Sequence, residues 1–292
     1  MKTIIFTDLD GTLLDSDYSF KEALPALELI KNNSVPLVLC SSKTKIEIEH
    51  IRKKMINSHP FISENGGGIF VPKGYFQFQI SSLPAGRQGL KYQFKEDGKY
   101  EMIKLGADYA ELRNAVGELR EEGYNTKGFG DMSIREVSEL TGLKPADAKR
   151  ARQRYFDEPF VYHGKSKDIA NLKRRIRAKG FNYTQGEFFH LMGNSDKGRA
   201  VNILKRLYAK QHRKIVTIAL GDSPNDIEML QNVDYPVAVQ KQDGAYNSEL
   251  IRKVKGCIKA EGIGPDGWNR AVIKLLEKDP RGQGFEDSSE EQ

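Results

Sequence analysis

Two hydrophobic rhythms divide this chain. In the first stretch, apolar residues run nearly unbroken through short segments: 2–8 (KTIIFTD), 35–41 (VPLVLCS), 61–63 (FIS) and 69–72 (IFVP). Between them the spacing turns helical. Residues 23–32 read as a helix that tolerates Pro25 only in its first turn. A second helix is predicted from Thr44, because Thr44 and Glu47 have capping-box spacing and Ile48, Ile51 and Met55 recur at i, i+3 and i+7. Strands apolar on both faces and separated by helices predict a parallel sheet covered on both sides. From about residue 84 to 190 the strands become short, polar and aromatic, as in KYQFK and EFFHLM, with charged helices at 107–122, 133–141, 145–155 and 166–179. That pattern predicts an α+β module. After 195 the first rhythm resumes, with helices at 197–210, 224–231 and 268–278 and strands at 214–222, 236–240 and 256–260. The expected organisation is an α/β domain in two parts, 1–83 and 191–279, split by an inserted module at 84–190. Residues 81–89 (SSLPAGRQG) read as a linker or insertion, and the acidic stretch 280–292 as a disordered tail.

Composition narrows the class. Over 292 residues, 38% hydrophobic and 29% charged positions fit a water-soluble globular protein. No apolar run approaches the roughly 20 residues that span a bilayer, and the opening apolar run is cut short by Asp8, which argues against a signal peptide and a membrane partner. Two cysteines, Cys40 and Cys257, suggest a reducing compartment, so a cytoplasmic protein is expected. The net charge of +6 is partly clustered, in KRARQR (149–154) and KRRIRAKG (173–180). Such clusters suit phosphate contacts with nucleic acid. They equally suit solvated helix faces, since Leu172 and Ile176 recur at helical spacing within the second. With no aromatic RNA-binding motif nearby, a small, multiply anionic substrate is favoured over nucleic acid.

Four segments end a strand or open a helix with reactive groups. Asp8-Leu9-Asp10-Gly11-Thr12 puts two carboxylates at i and i+2, on one side of a strand end, where like charges call for a cation or a shared proton. Ser41-Ser42-Lys43-Thr44 follows the second strand, Asp196-Lys197-Gly198 opens a helix, and Gly221-Asp222-Ser223-Pro224-Asn225-Asp226 joins a strand to a helix. The carboxyl ends of strands form the ligand crevice of open α/β sheets. Hydroxyls, a lysine and helix N–H groups hold a phosphate, Mg²⁺ takes one or two carboxylates, and a third carboxylate can serve as acid and base. Each has a plainer reading. Ser41 or Ser42 could cap a helix, Lys197 could be a surface lysine, and Ser223 with Asp226 forms a fair capping pair.

In this order the four segments resemble the haloacid dehalogenase-like hydrolase superfamily. SSKT (41–44), ISENGGGIF (62–70), GFGDMS (128–133), FDEPF (156–160), FHLMGNSDKG (189–198) and GDSPNDIEML (221–230) further resemble its mannosyl-3-phosphoglycerate phosphatase family. The resemblance implies a three-layer, Rossmann-like parallel-sheet core carrying an inserted α+β cap. It implies Asp8 as nucleophile and Asp10 as general acid and base. Mg²⁺ would be held by the Asp8 carboxylate, the Asp10 carbonyl and Asp222. Ser41 and Lys197 would hold the phosphoryl group with help from the Ser42 N–H, and Asn225 and Asp226 would support them. The implied substrate is a phosphorylated sugar-glycerate, and the implied product, mannosylglycerate, is a compatible solute. A broader sugar-phosphate phosphatase and a catalytically silent phosphosugar-binding regulator are the alternatives. Substrate selection is expected from Lys43, Glu64 and Asn65, and from Gly128, Gly130, Asp131, Met132, Ser133 and His190, with Arg154 and Glu158 ranked below them. For GFGDM the competing reading is a turn with Ser133 as N-cap, and for ENGGG a tight turn. GIGPDG (262–267) fits G-x-G-x-x-G, but no βαβ unit follows it and a Gly/Pro turn accounts for it. The histidines and cysteines show no zinc spacing.

Overall fold

A computed structural model describes residues 1–82, 93–186 and 188–278; most of the 81–89 segment and the acidic tail lie outside the described residues. In chain order the elements are β1 (Lys2–Thr7), α1 (Leu24–Asn32), β2 (Leu37–Cys40), α2 (Lys45–Met55), β3 (Phe61–Ser63), β4 (Gly68–Pro72), β5 (Gln93–Asp97) and β6 (Tyr100–Lys104). Then come α3 (Tyr109–Glu121), β7 (Thr126–Gly128), α4 (Ile134–Thr141), α5 (Pro145–Ala151), β8 (Asp157–Tyr162), α6 (Ile169–Ala178), β9 (Asn182–Gln185) and β10 (Phe189–Met192). The last are α7 (Lys197–His212), β11 (Ile215–Gly221), α8 (Ile227–Leu230), β12 (Tyr235–Gln240), α9 (Ser248–Lys253), β13 (Ile258–Ile263) and α10 (Gly264–Lys278). The described chain forms two compact units, one of Met1–Leu37 with the chain from His212 onward, the other of Val38–Gln211. Among the described residues no helix is long and apolar enough to cross a membrane.

The first unit is α/β. Its strands lie in the order β13-β12-β11-β1, every pair parallel, with Lys2 opposite Ile215 and Thr7 opposite Leu220. Ile4, Ile5 and Phe6 are fully buried, as an apolar strand covered on both faces must be. The expected helix at 224–231 begins as a 3-10 turn, Pro224–Asp226, before α8, because the Ser223–Asp226 capping box and Pro224 set its entry. GIGPDG is the joint between β13 and α10. At Gly262, φ is +117° and a Cβ would stand 2.4 Å from Asp266 Oδ2, so both backbone and space call for glycine.

In the second unit, β2 and β3 are parallel, whereas β3-β4, β4-β6 and β6-β5 are antiparallel. From β4 onward the strands depart from the expected parallel sheet, for a physical reason. Only four residues, 64–67, join β3 to β4, far short of the dozen or so that a parallel crossover needs. A second, antiparallel sheet runs β7-β8-β10-β9. On it Leu112, Val116 and Leu119 of α3 and Leu172 and Ile176 of α6 pack with Phe160 and Leu191. The basic run of α6 thus has a buried apolar stripe, and on its outer side Arg175 Nε meets Glu122 at 2.6 Å.

Candidate active site

The acidic end of β1 is shaped by its own backbone. Asp8 N–H donates to Leu220 O at 3.0 Å, while the Thr7 hydroxyl donates to Asp8 O at 2.8 Å. Gly11, at φ +74°, lets the chain double back so that Leu9 O accepts the N–H groups of Thr12, Leu13 and Leu14. Thr12 then donates through Oγ1 to Asp222 Oδ1 at 2.9 Å. Asp222 follows β11 directly. Asp226 closes the group, its Oδ2 accepting the N–H of Asp222 at 3.1 Å and of Ser223 at 3.0 Å.

Asp8, Asp222 and Asp226 are all buried, and one carboxylate oxygen from each lies within 4.8 Å of the others. Two charges no more than 4.8 Å apart repel by at least roughly 3 kcal/mol at an effective dielectric near 20. Three buried carboxylates this close are a group that could hold a cation, and hard oxygen donors suit Mg²⁺. Asp10 stands at the same turn with an exposed side chain, and its backbone bridges to Leu14. Asn225 is half-buried, its side-chain oxygen accepting from Ser223 Oγ.

The second unit holds the hydroxyl and lysine groups. Ser41 is buried, with its Oγ accepting Lys43 N–H at 3.2 Å and its carbonyl accepting Asn65 N–H at 3.1 Å. Glu64 N–H donates to Lys43 O at 3.1 Å, so the 41–43 loop and the 64–66 turn are laced together. The expected capping box is present, Thr44 accepting from Glu47 N–H. Glu64, Asn65 and Gly66 all have positive φ, and at Gly66 a Cβ would come within 2.1 Å of Asp196 O and 2.9 Å of Lys197 N. The turn is thereby fitted against the peptide that opens α7. Lys197 itself is 1% exposed, and the Asp196 side chain caps the helix through Arg199 N–H at 2.7 Å.

The candidate selectivity residues fall into two groups. Glu64 is fully buried and accepts N–H bonds from Tyr155 and Phe156, the shortest 2.7 Å. Burial pushes its carboxyl up to about 8. Asn65 Nδ2 donates to Asp157 Oδ2 at 3.2 Å, His190 Nδ1 meets the same oxygen at 2.9 Å, and the Arg154 guanidinium lies 3.5 Å from it. Arg154 also donates to Ser42 O at 3.2 Å. Asp157, fully buried, is the hub of this network, and sequence reasoning passed over it. Its signal was FDEPF, where two acids sit side by side between aromatics.

Segment 128–133 is braced internally. Asp131 accepts from Gly128 N–H at 3.0 Å and from Arg113 at 2.7 Å, and Gly130 N–H donates to Glu158 Oε1 at 3.0 Å. Met132 is buried with Phe129 and Val137, and Ser133 caps α4, accepting from Glu136 N–H at 3.2 Å. Strand register aligns Gly128 with Phe160 and Phe160 with Phe189, one residue before His190.

Residues 5–245 match the model of a family described as haloacid dehalogenase-like hydrolase. A protein of Methanococcoides burtonii named glucosyl-3-phosphoglycerate/mannosyl-3-phosphoglycerate phosphatase is 44% identical over 95% of this chain and 98% of its own. A mannosyl-3-phosphoglycerate phosphatase of Pyrococcus furiosus is 34% identical over 89% of this chain and 99% of its own. Among solved structures, a haloacid dehalogenase-like hydrolase from B. subtilis shares the fold with a TM-score of 0.61 at 20% identity, covering 96% of this chain and all of that one.

Proposed function

The chain belongs to the haloacid dehalogenase-like hydrolases, and from that footing we propose that it is a magnesium-dependent phosphatase converting 2-O-mannosyl-3-phosphoglycerate to mannosylglycerate and inorganic phosphate. The observation that carries this reading is the buried cluster of Asp8, Asp222 and Asp226 beside the Asp10 turn. The names borne by the similar phosphatases support the substrate.

In the proposed reaction an Asp8 carboxylate oxygen attacks phosphorus, forming an aspartyl-phosphate as the ester P–O bond breaks. Asp10, whose side chain is exposed, gives its proton to the departing glycerate oxygen. Water then attacks the same phosphorus, Asp10 takes the proton it loses, and the bond to Asp8 breaks to release phosphate. Ser41, Lys197 and the Ser42 N–H are assigned to hold the phosphoryl oxygens. Asp8 and Asp222, with the Asp10 carbonyl, would hold Mg²⁺, which when bound neutralises negative charge on the phosphoryl group. Asp226 keeps Asp222 in place through its N–H bond, and Asn225 braces the Ser223 hydroxyl. Residues 84–190 are assigned as the cap that selects the substrate, with 1–83 and 191–279 as the core. The product is a compatible solute, which suits a cytoplasmic enzyme.

Because the more similar relatives carry a name with both sugars, the glucosyl ester is the second substrate to expect. Phosphate release from mannosyl- and glucosyl-3-phosphoglycerate, mannose 6-phosphate and sucrose phosphate tests the reading. The glycerate esters should exceed the simple sugar phosphates in kcat/KM. Equal rates on all four would reduce the enzyme to a general sugar phosphatase.

A further inference from the structure

Trp268 is the only tryptophan of the chain, and none of the motifs assigned above includes it. It lies in the first turns of α10, fully buried, and its Nε1–H donates to Thr7 Oγ1 at 2.9 Å. Thr7 is fully buried too, and its hydroxyl donates onward to Asp8 O at 2.8 Å. The chemistry of these groups fixes the direction. An indole nitrogen can only donate, so Thr7 Oγ1 must accept there, and its single proton is left for the Asp8 carbonyl. Asp8 N–H is already tied to Leu220 O at 3.0 Å. Both polar groups of the Asp8 backbone are therefore held, the carbonyl by a relay that starts on the last described helix.

We propose that Trp268 and Thr7 are positioning residues for the nucleophile, acting through the carbonyl of Asp8. The inference rests on the proposed role of Asp8. A hydrogen-bonded chain polarises along its length, so the indole strengthens the grip of the hydroxyl on that carbonyl. The relay also links the indole to a residue assigned to the cation site, which makes Trp268 emission a built-in reporter of that site.

The test compares full-length wild type with Thr7→Val, which keeps the shape and removes the hydroxyl, and with Thr7→Ser, which keeps the hydroxyl. With folded fraction checked by circular dichroism, Thr7→Val should lower kcat by about 10- to 100-fold with KM little changed, and Thr7→Ser should recover most of that loss. Trp268→Phe should share the kcat defect. Independently of any substrate, MgCl₂ titrated into metal-free protein should change Trp268 emission in wild type and Thr7→Ser and not in Thr7→Val. Equal kcat in Thr7→Val and wild type, or the same Mg²⁺ response in both, would overturn the relay. Absence of phosphatase activity in wild type alongside the predicted emission changes would instead overturn the assigned reaction and leave the relay standing.

Discussion

Replacing Gly66 by alanine should cripple the enzyme from a position with no reactive group. Two effects combine there. The first is backbone strain: φ is +89°, and a left-handed residue with a Cβ costs roughly 1–2 kcal/mol. The second is a clash. The new Cβ would lie 2.1 Å from Asp196 O, where about 3.5 Å is comfortable, so about 1.4 Å must be found. The obstacle is backbone, and it is the peptide that launches α7 at Lys197. Overpacking of this kind costs about 1–3 kcal/mol. A shift of about 1 Å in a positioned group can cost on the order of 100-fold in rate. Gly74→Ala is the matched control, because φ there is +74° with nothing within 4 Å of a Cβ. Urea denaturation should place Gly66→Ala roughly 2–5 kcal/mol below wild type and Gly74→Ala about 1–2 kcal/mol below. Phosphate release should fall about 100-fold in the first and stay near wild type in the second. A Gly66→Ala enzyme with kcat within about threefold of wild type and no less stable than Gly74→Ala would refute this account of the 64–66 turn.

Two further predictions concern buried polar groups. Thr12→Val removes the donor to Asp222 Oδ1 and should weaken Mg²⁺ binding by roughly 10- to 100-fold; calorimetric titration giving an unchanged affinity would remove Asp222 from the cation site. Glu64, raised from 4.5 to about 8 by burial, binds its proton more tightly folded than unfolded. Its stabilising contribution is complete below pH 4.5 and is lost as pH climbs toward 8, at up to about 1.4 kcal/mol per pH unit. Thermal melts of wild type and Glu64→Gln should therefore show the wild type losing ground to the variant between pH 5 and 8. A constant difference would mean that the carboxyl is not desolvated as described.

Much of this molecule could be read locally. The box of Thr44 and Glu47, the cap at Ser133 and the Ser223–Asp226 pair are i, i+3 patterns, and all three form. The apolar strands β1 and β11 declare themselves by composition. Helix α9 passed unnoticed because six residues are too few for a period to emerge, although its Asn247 cap is a local feature. The reversal at β4 was hidden in a different way. Its apolar run looks the same in either direction, and only the length of the preceding turn decides. The acidic cluster was legible as separate motifs, but the meeting of Asp8 with Asp222 spans the chain and only folding brings it about. The same holds for Asp157, where Asn65, Arg154 and His190 converge from three distant segments, and for the indole of Trp268 on Thr7. Glu64 was legible as a candidate for substrate selection, but its bonds to the backbone N–H groups of Tyr155 and Phe156, 91 and 92 positions away, were not.

The central claim is that Asp8 performs the phosphoryl transfer and that the acids around it work with a divalent cation. Inorganic phosphate released from 2-O-mannosyl-3-phosphoglycerate, followed with Mg²⁺, with EDTA in its place, and with Asp8→Asn plus Mg²⁺, addresses it directly. Turnover should occur in the first reaction alone, with the folded Asp8→Asn protein slower by at least about 1,000-fold. Comparable turnover by that variant, or by wild type in EDTA, would contradict the account.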